Sequence, residues 1–345
     1  MIRDMRGPVL VTGGTGFIGG HLVRLLLEQG HEVRVLCRSA AAEARVPKDA
    51  QAVAGDVADA NSLCSALEGC GLVFHLAANA NLFDHDSAVF EQVNHQGTRN
   101  LLRAAQEAGV ARVVHCSSEA VLARKTPDGP ATAVTATRLE DMPGEYCRSK
   151  WLADQACFEA AAQGLDVVVA VPVVPVGPGD VNLTPPTRML RDFCRGKIKG
   201  YVSSSLGLAD VRDIAAGLLA CAERGTSGRR YLLAAENRQL VDLFALLSRL
   251  TGRPAPRLRV PGQAALAFAW LEEQWCRLRR GTPLASVAGV RLAMRGTLYD
   301  GSADARELGL TYRPVDAALA EALVWLEQQG LVPPLSKKNT EDVHA

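Results

Sequence analysis

Short apolar runs alternate with stretches of helical periodicity through the first half of the chain. The apolar runs predict β-strands at 8–12, 32–37, 52–54, 72–77, 112–117 and 166–171. Between the first two runs, apolar residues recur at helical spacing, at Ile18, Leu22, Leu25 and Leu26. The helix that they predict ends at Gly30. A second helix is predicted at about 94–108, ending at Gly109. Strands separated by helices favour a parallel sheet with helices on both faces.

The pattern changes after the last of these strands. The segment 172–187 is rich in proline and glycine and predicts a loop, and the chain beyond it is mostly helical. We therefore predict an α/β protein with a doubly wound parallel sheet over 1–171, to which part of 201–235 returns. A smaller, mostly helical region is predicted over 172–330, and a flexible tail over 331–345, where the last residues are polar.

Composition limits the partners and the compartment. The 345 residues include 38 Lys and Arg against 37 Asp and Glu, so the net charge of +1 provides no bulk attraction to nucleic acid or an anionic membrane. Nine cysteines without a Cys-x-x-Cys pair indicate a cytoplasmic protein without disulfides or zinc, and the seven histidines show no metal-ligand spacing. The longest apolar run, 167–176, is too short for a transmembrane segment.

A glycine-rich loop follows the first predicted strand. In VLVTGGTGFIGG, Gly13, Gly16 and Gly19 lie between that strand and the helix after it. Glycines at such a turn let backbone N–H groups approach a pyrophosphate, and the helix N-terminus contributes a partial positive charge. The loop therefore predicts a dinucleotide site, with a structural turn that binds nothing as the alternative.

The end of the second predicted strand distinguishes the two nicotinamide dinucleotides. An acidic residue there would bind the ribose hydroxyls of NAD. Here the chain reads VLCRSA, with Cys37 in the position expected for the acid and Arg38 and Ser39 after it. A guanidinium suits the 2′-phosphate of NADP. We therefore expect NADP(H) to be preferred and NAD(H) to be possible, with a solvated arginine as the alternative.

EYCRSK (145–150) contains a tyrosine and a lysine four residues apart. Tyr146 and Lys150 would lie one turn apart on the same face of a helix. A phenol titrates near pH 10, and a neighbouring ammonium can lower that pKa so that the phenol exchanges a proton near neutrality. The spacing arises by chance too often to identify a catalytic pair by itself.

Taken in order, the motifs resemble those of the extended short-chain dehydrogenases/reductases of the NAD-dependent epimerase/dehydratase superfamily. The resemblance spans about 1–330 and rests on TGGTGFIG (12–19), GDV (55–57), HLAA (75–78), NHQGTRNLL (94–102), HCSSEAV (115–121), YCRSK (146–150) and GPGD (177–180). Within the superfamily the chain resembles the dihydroflavonol-reductase-like branch, in particular the bacterial hopanoid-associated sugar epimerase-type proteins. The resemblance implies a Rossmann-type dinucleotide-binding domain over 1–171, a substrate-binding region over 172–330 and, as in many relatives, a possible homodimer.

The resemblance also implies roles for individual residues. Tyr146 would be the general acid/base, and Lys150 would stabilise its phenolate and hold the nicotinamide ribose. Ser118 would hydrogen-bond the reacting oxygen, and Asn94 would support the site from a neighbouring helix. The residues implied to contact the dinucleotide are Gly13, Thr15, Gly16, Phe17, Ile18, Gly19, Arg38, Ser39, Asp56, Val57, Leu76, Ala77, Ala78, Tyr146, Lys150, Pro172 and Val174.

Several functions are compatible with a Ser-Tyr-Lys site. The first is an NAD(P)-dependent reductase/dehydrogenase that interconverts a small-molecule ketone and a secondary alcohol. The alternative is a nucleotide-sugar epimerase with tightly bound NAD, which Cys37 in place of an acid disfavours. Sugar dehydration is disfavoured because Ala120 stands where dehydratases have a second acid. A non-catalytic cofactor sensor is the least expected, because all three catalytic positions are present.

One stretch of the C-terminal half combines apolar and basic residues. LAFAWLEEQW (266–275) places Phe268, Trp270, Leu271 and Trp275 within one predicted helix. The basic stretch RLRR (277–280) follows it. Packing in the core is the simplest expectation, and a substrate pocket or a partner surface is the alternative. The arginines, with Arg257 and Arg259, are expected to form a solvated basic face, with binding of a sugar-nucleotide diphosphate as the alternative.

Overall fold

The structure, a computed structural model, describes residues 7–123 and 129–335. Within these ranges the strands are Val9–Thr12 (β1), Val33–Cys37 (β2), Gln51–Ala54 (β3), Leu72–His75 (β4), Arg112–Cys116 (β5), Val167–Pro172 (β6), Val174–Val176 (β7), Gly200–Tyr201 (β8), Ser205–Asp210 (β9), Arg230–Leu233 (β10), Glu236–Gln239 (β11) and Leu258–Arg259 (β12). The α-helices are Phe17–Glu28 (α1), Ala40–Glu43 (α2), Ala60–Leu67 (α3), Gly97–Glu107 (α4), Glu145–Ala162 (α5), Pro185–Cys194 (α6), Val211–Arg224 (α7), Leu240–Thr251 (α8), Gly262–Arg279 (α9), Val287–Arg295 (α10), Ser302–Leu308 (α11) and Val315–Gln328 (α12). A π-helix at Phe90–Gln96 and 3₁₀ turns at Glu119–Val121 and Leu139–Asp141 complete the described elements.

Seven strands form one parallel sheet in the order β10-β6-β5-β4-β1-β2-β3. All four residues of β1 are buried, as expected of a strand covered by helices on both faces. The chain leaves β1 toward β2 and later crosses to β4 on its other side. The predicted α/β fold with a Rossmann-type doubly wound sheet is therefore confirmed. Ligands of such sheets bind in the crevice beyond the carboxyl ends of the strands, at this change of direction.

The proline-rich segment after β6 is more ordered than the predicted loop at 172–187. Val174–Val176 pairs with β9, which in turn pairs with β11 in a separate three-stranded sheet. Helix α6 begins at Pro185, because the fixed φ of proline suits the first turn of a helix and its missing N–H costs nothing there. This segment therefore turns from the main sheet into the C-terminal half and passes over the crevice.

The described residues form two large hydrophobic clusters. One lies around the main sheet and includes residues of α7 and β10, so part of 201–235 packs with the sheet. The other joins α6, α8 and α12. Val332 and Leu335 belong to this second cluster, so the segment predicted as a flexible tail is packed as far as residue 335, and 336–345 lies outside the described residues. The domain boundary at 171 stays a prediction.

None of the helices in the described ranges is long and apolar enough to cross a membrane.

Candidate active site

The glycine-rich loop brings three backbone segments into close contact. Gly13 has φ +68°, and a Cβ there would lie 2.6 Å from the carbonyl carbon of Leu76. A Cβ on Gly19 would lie 2.2 Å from the carbonyl oxygen of Gly13. Gly16 is the N-cap of α1 and has no side chain to bond the first N–H groups of the helix, which the helix itself leaves free. A side chain is excluded by backbone at Gly13 and Gly19, and the free N–H groups at the start of α1 suit the pyrophosphate of a dinucleotide.

A cavity of about 430 Å³ lies beside this loop, along the carboxyl ends of the central strands. Residues of β5, α5 and the β6–β7 connection also line it. The predicted site residues that line it are Gly13, Gly16, Phe17, Ile18, Gly19, Leu76, Ala78, Ser118, Tyr146, Lys150, Pro172 and Val174. The structure therefore places the predicted phosphate loop and the predicted catalytic residues along one continuous cavity.

Other predicted residues lie outside that lining. Arg38 and Ser39 follow β2, and Asp56 and Val57 follow β3, so all four are at the same edge of the sheet as the cavity. Arg38 is exposed, whereas the Ser39 hydroxyl accepts a hydrogen bond from the N–H of Ala42 and caps α2. Thr15, Ala77 and Asn94 also do not line the cavity.

Three polar residues of the cavity lining come from the end of β5 and the start of α5. The Ser118 hydroxyl caps the 3₁₀ turn after β5 and donates to Oε2 of Glu119 at 3.1 Å. Tyr146 and Lys150 lie one turn apart on α5, as their spacing predicts. Lys150 is buried, and its Nζ donates to the carbonyl oxygen of Cys116 at 2.7 Å. The ammonium is thereby fixed beside the strand end that carries Ser118.

Burial is the largest cause of the pKa shifts of Tyr146 and Lys150. It raises the pKa of the Tyr146 phenol above its ordinary range, the hydrogen bond with Ser118 lowers that pKa, and the Glu119 carboxylate raises it. Burial lowers the pKa of Lys150, while Cys116 and Asp154 raise it. The phenol therefore holds its proton at neutral pH, as a proton donor to a substrate oxygen must.

Asn94 lies outside the cavity lining and forms hydrogen bonds to two segments next to the site. Its Oδ1 accepts from the N–H of Asn79 at 2.7 Å, and its Nδ2 donates to the carbonyl of Asn79 and to the hydroxyl of Ser149 at 3.1 and 3.0 Å. Asn94 thus ties the loop after β4 to the helix of Tyr146.

Glu119 and Tyr299 were not assigned roles from the sequence, yet both line the cavity. Burial raises the pKa of Glu119 to about 7, and the Ser118 hydroxyl lowers it in part. The Tyr299 hydroxyl donates to the backbone carbonyl of Glu119 at 3.4 Å. Glu119 directly follows Ser118 in sequence. The sequence around it does not reveal that it is buried, because the contact comes from Tyr299, 180 positions away.

The raised pKa of Glu119 predicts a pH-dependent stability. The folded protein holds this proton up to about pH 7, whereas an unfolded glutamate loses it near its ordinary 4.5. The contribution of Glu119 to the free energy of unfolding is therefore full below pH 4.5 and lost as the pH rises through 7. Urea denaturation should show that Glu119→Gln is about as stable as wild type at pH 5 and more stable at pH 8.

Glu140→Gln is the matched control. Its side chain is 72% exposed, and its pair with Arg138 lies at the surface. It should change stability little at either pH. An equal effect of Glu119→Gln at pH 5 and pH 8 would contradict the assignment.

Away from the three polar residues the cavity wall is largely apolar. It is formed by apolar side chains of the loop after β4, the proline-rich segment, α6, β9 and α10: Leu82, Pro175, Pro185, Met189, Leu206 and Leu292. Among the described residues that line the cavity, Lys150 carries the one cationic side chain.

Comparison with known proteins identifies relatives along most of the chain. The model of the NAD dependent epimerase/dehydratase family matches residues 9–234. A putative dihydroflavonol 4-reductase of Synechocystis is 39% identical over 93% of this chain and 95% of its own length. Sterol demethylase protein B of Methylococcus capsulatus is 34% identical over 94% of this chain and 99% of its own length. The solved structure of gox2253 superposes with a TM-score of 0.84 and 32% identity, covering 94% of this chain and 99% of that one.

Proposed function

Because the chain belongs to the NAD-dependent epimerase/dehydratase family, we propose that it interconverts a ketone and a secondary alcohol with NADP(H) as a dissociable cofactor. The observation that carries the proposal is that Ser118, Tyr146 and Lys150 line the same cavity as the glycine-rich loop. A phosphate-binding loop and a proton donor that share one cavity suit hydride transfer.

The residues that would hold the dinucleotide lie along the sheet edge. The loop at Gly13, Gly16 and Gly19 would take the pyrophosphate, and Asp56 and Val57 would lie beside the adenine. When bound, the nicotinamide would supply or accept the hydride. Pro172, the last residue of β6, and Val174, the first residue of β7, would form the wall on that side.

Tyr146 would transfer the proton that accompanies the hydride. In reduction its hydroxyl would donate to the substrate oxygen, and Ser118 would hydrogen-bond the same oxygen. Lys150 would stabilise the phenolate left on Tyr146, because an ammonium nearby favours the charged form of a phenol. Burial of Ser118 and Lys150 and partial burial of Tyr146 strengthen these interactions, since little water competes with them.

The apolar wall favours a hydrophobic ketone or alcohol as the substrate. Nucleotide-sugar epimerization is the second candidate, which the family model includes. A sugar nucleotide brings a diphosphate, which cationic side chains usually bind. Beyond Lys150, which is committed to the carbonyl of Cys116, the described lining offers none. The name of the Methylococcus relative, a sterol demethylase protein, agrees with a hydrophobic substrate.

A substrate screen tests the proposed function. The protein is mixed with NADPH and a panel of hydrophobic ketones, and oxidation of NADPH is followed by absorbance. We expect turnover with at least one polycyclic or isoprenoid ketone. Inversion of a nucleotide sugar without net oxidation, and no turnover of any ketone, would favour the epimerase.

Arg38 is the basis of the proposed preference for NADP(H). Arg38→Ala should raise the KM for NADPH about tenfold or more and leave the KM for NADH nearly unchanged, because the lost pairing is with the 2′-phosphate alone. Arg103→Ala, which removes an exposed arginine from the second half of α4, should change neither KM. Equal effects of Arg38→Ala on both dinucleotides would remove the argument for NADP(H).

A further inference from the structure

Helix α9 carries an apolar stripe that the rest of the described chain does not cover. Ala265, Ala269 and Cys276 are buried against neighbouring segments. On another side of the helix, four large apolar side chains are exposed by 48, 60, 53 and 82%: Phe268, Leu271, Trp275 and Leu278. Their spacing of three and four residues places them along one face. The expectation that the aromatic residues of this helix pack in the core is therefore wrong.

Arginines lie at both ends of this stripe. Arg257 and Arg259 are exposed just before α9, and Arg277, Arg279 and Arg280 are exposed at its end. The Arg279 guanidinium lies 4.0 Å from the centroid of the Trp275 ring. Among the residues that the structure describes, none of the five arginines pairs with a carboxylate.

The acidic residues of α9 accept hydrogen bonds from backbone N–H groups. Glu272 accepts a hydrogen bond from the N–H of Leu284 at 3.0 Å, and Glu273 accepts one from the N–H of Val287 at 2.7 Å. Both carboxylates are thus engaged by backbone N–H groups of the chain that leads into α10. Around the stripe, the fully exposed charged side chains of α9 and of the segment before it are arginines.

The stripe lies close to the cavity. Helix α9 packs against α10, and α10 contributes Leu292 and Ala293 to the cavity wall. At the C-terminal end of α9, Arg277 lies 5.3 Å from the ring centroid of Phe83, the neighbour of the lining residue Leu82. One helix and one loop therefore separate the stripe from the cavity.

We propose that this face of α9 docks the protein on a membrane surface that contains anionic lipids. A helix with exposed Trp, Phe and Leu and with arginines beside them is suited to lie in the interface, its apolar side chains among the acyl chains and its cations at the headgroups. The attraction is local, since the whole chain has a net charge of only +1. A hydrophobic substrate could pass from the bilayer to the adjacent cavity.

Charge favours the lipid surface over a second copy of the chain. Pairing of two α9 stripes, parallel or antiparallel, brings the arginines at each end of one helix against arginines of the other. Like charges at such short range oppose association. An anionic surface pairs with both ends at once.

Sedimentation with lipid vesicles tests the proposal on the full chain. We expect binding to vesicles of phosphatidylcholine with phosphatidylglycerol, weaker binding to phosphatidylcholine alone, and release by salt. The double variant Leu271→Ser/Trp275→Ser should lower the affinity for the anionic vesicles about tenfold or more, since both lost side chains would be buried in the interface. Arg277→Gln/Arg279→Gln should lower it as well and remove the salt dependence in part.

The control variant is Val134→Ser/Val241→Ser, which removes apolar side chains that are 83 and 47% exposed outside α9 and should bind as wild type does. Circular dichroism verifies that each variant is folded. The proposal would be overturned if wild-type protein did not sediment with anionic vesicles, or if the Leu271→Ser/Trp275→Ser variant bound them as wild type does. Sedimentation velocity showing a dimer that this variant dissociates would also overturn it. The proposal rests on α9 alone, so its failure leaves the proposed reaction untouched.

Discussion

Tyr146→Phe should lower kcat for ketone reduction by about 10²–10⁴-fold, the usual contribution of a general acid. The substitution removes the hydroxyl that would protonate the substrate oxygen and leaves the partly buried ring in place. The affinity for NADPH, measured by fluorescence titration, should stay within a few-fold of wild type, because the phosphate loop and the sheet edge are unchanged.

Tyr201→Phe provides the matched control. It removes a tyrosine hydroxyl from a ring that packs edge-on against Phe244 in the second hydrophobic cluster, away from the cavity. Its kcat should equal that of wild type. If Tyr146→Phe reduced ketones at the wild-type rate, the assignment of Tyr146 as the proton donor would be wrong.

Gly19→Ala should weaken NADPH binding at least about tenfold. The new Cβ would lie 2.2 Å from the carbonyl oxygen of Gly13, far inside contact distance, and both atoms belong to backbone that cannot rotate away. The loop must shift by more than an ångström, and the N–H groups that would bind the pyrophosphate shift with it. Isothermal titration of the folded variant with NADPH measures the effect.

Gly20→Ala is the control at the next position of the same helix. Its Cβ would meet only the carbonyl oxygen of Gly14, at an ordinary 3.8 Å. We expect unchanged NADPH affinity and a free energy of unfolding raised by roughly 0.5–1 kcal/mol, because alanine costs less than glycine in a helix. Equal NADPH affinity in the two variants would mean that the loop does not hold the dinucleotide.

Much of the main sheet could be predicted from the sequence, because its central strands are covered on both faces. Such strands must be apolar at every position, which makes runs such as residues 9–11 visible without any structure. The placement of Tyr146 and Lys150 on the same face of a helix could also be predicted, since it depends only on their spacing of one helical turn. The glycine loop was recognised for the same reason: its constraints are local.

What could not be predicted depends on contacts between distant segments. The raised pKa of Glu119 comes from its burial, to which Tyr299 contributes from the far end of the chain. Strand β7 forms inside a proline-rich segment because β9 lies beside it to accept the pairing. The exposure of Trp275 could not be predicted either, since the sequence of an apolar helix is the same whether or not another segment covers the helix.

The identity of any dinucleotide that copurifies with the protein tests the proposed function most directly. The protein is purified without added cofactor and denatured, and the released nucleotide is identified by mass spectrometry; the undenatured protein is then titrated with NADPH and NADH. A dissociating reductase should release little nucleotide and bind NADPH more tightly than NADH. Near-stoichiometric NAD in the released fraction would contradict both the role of Arg38 and the reductase, and would identify the chain as an epimerase.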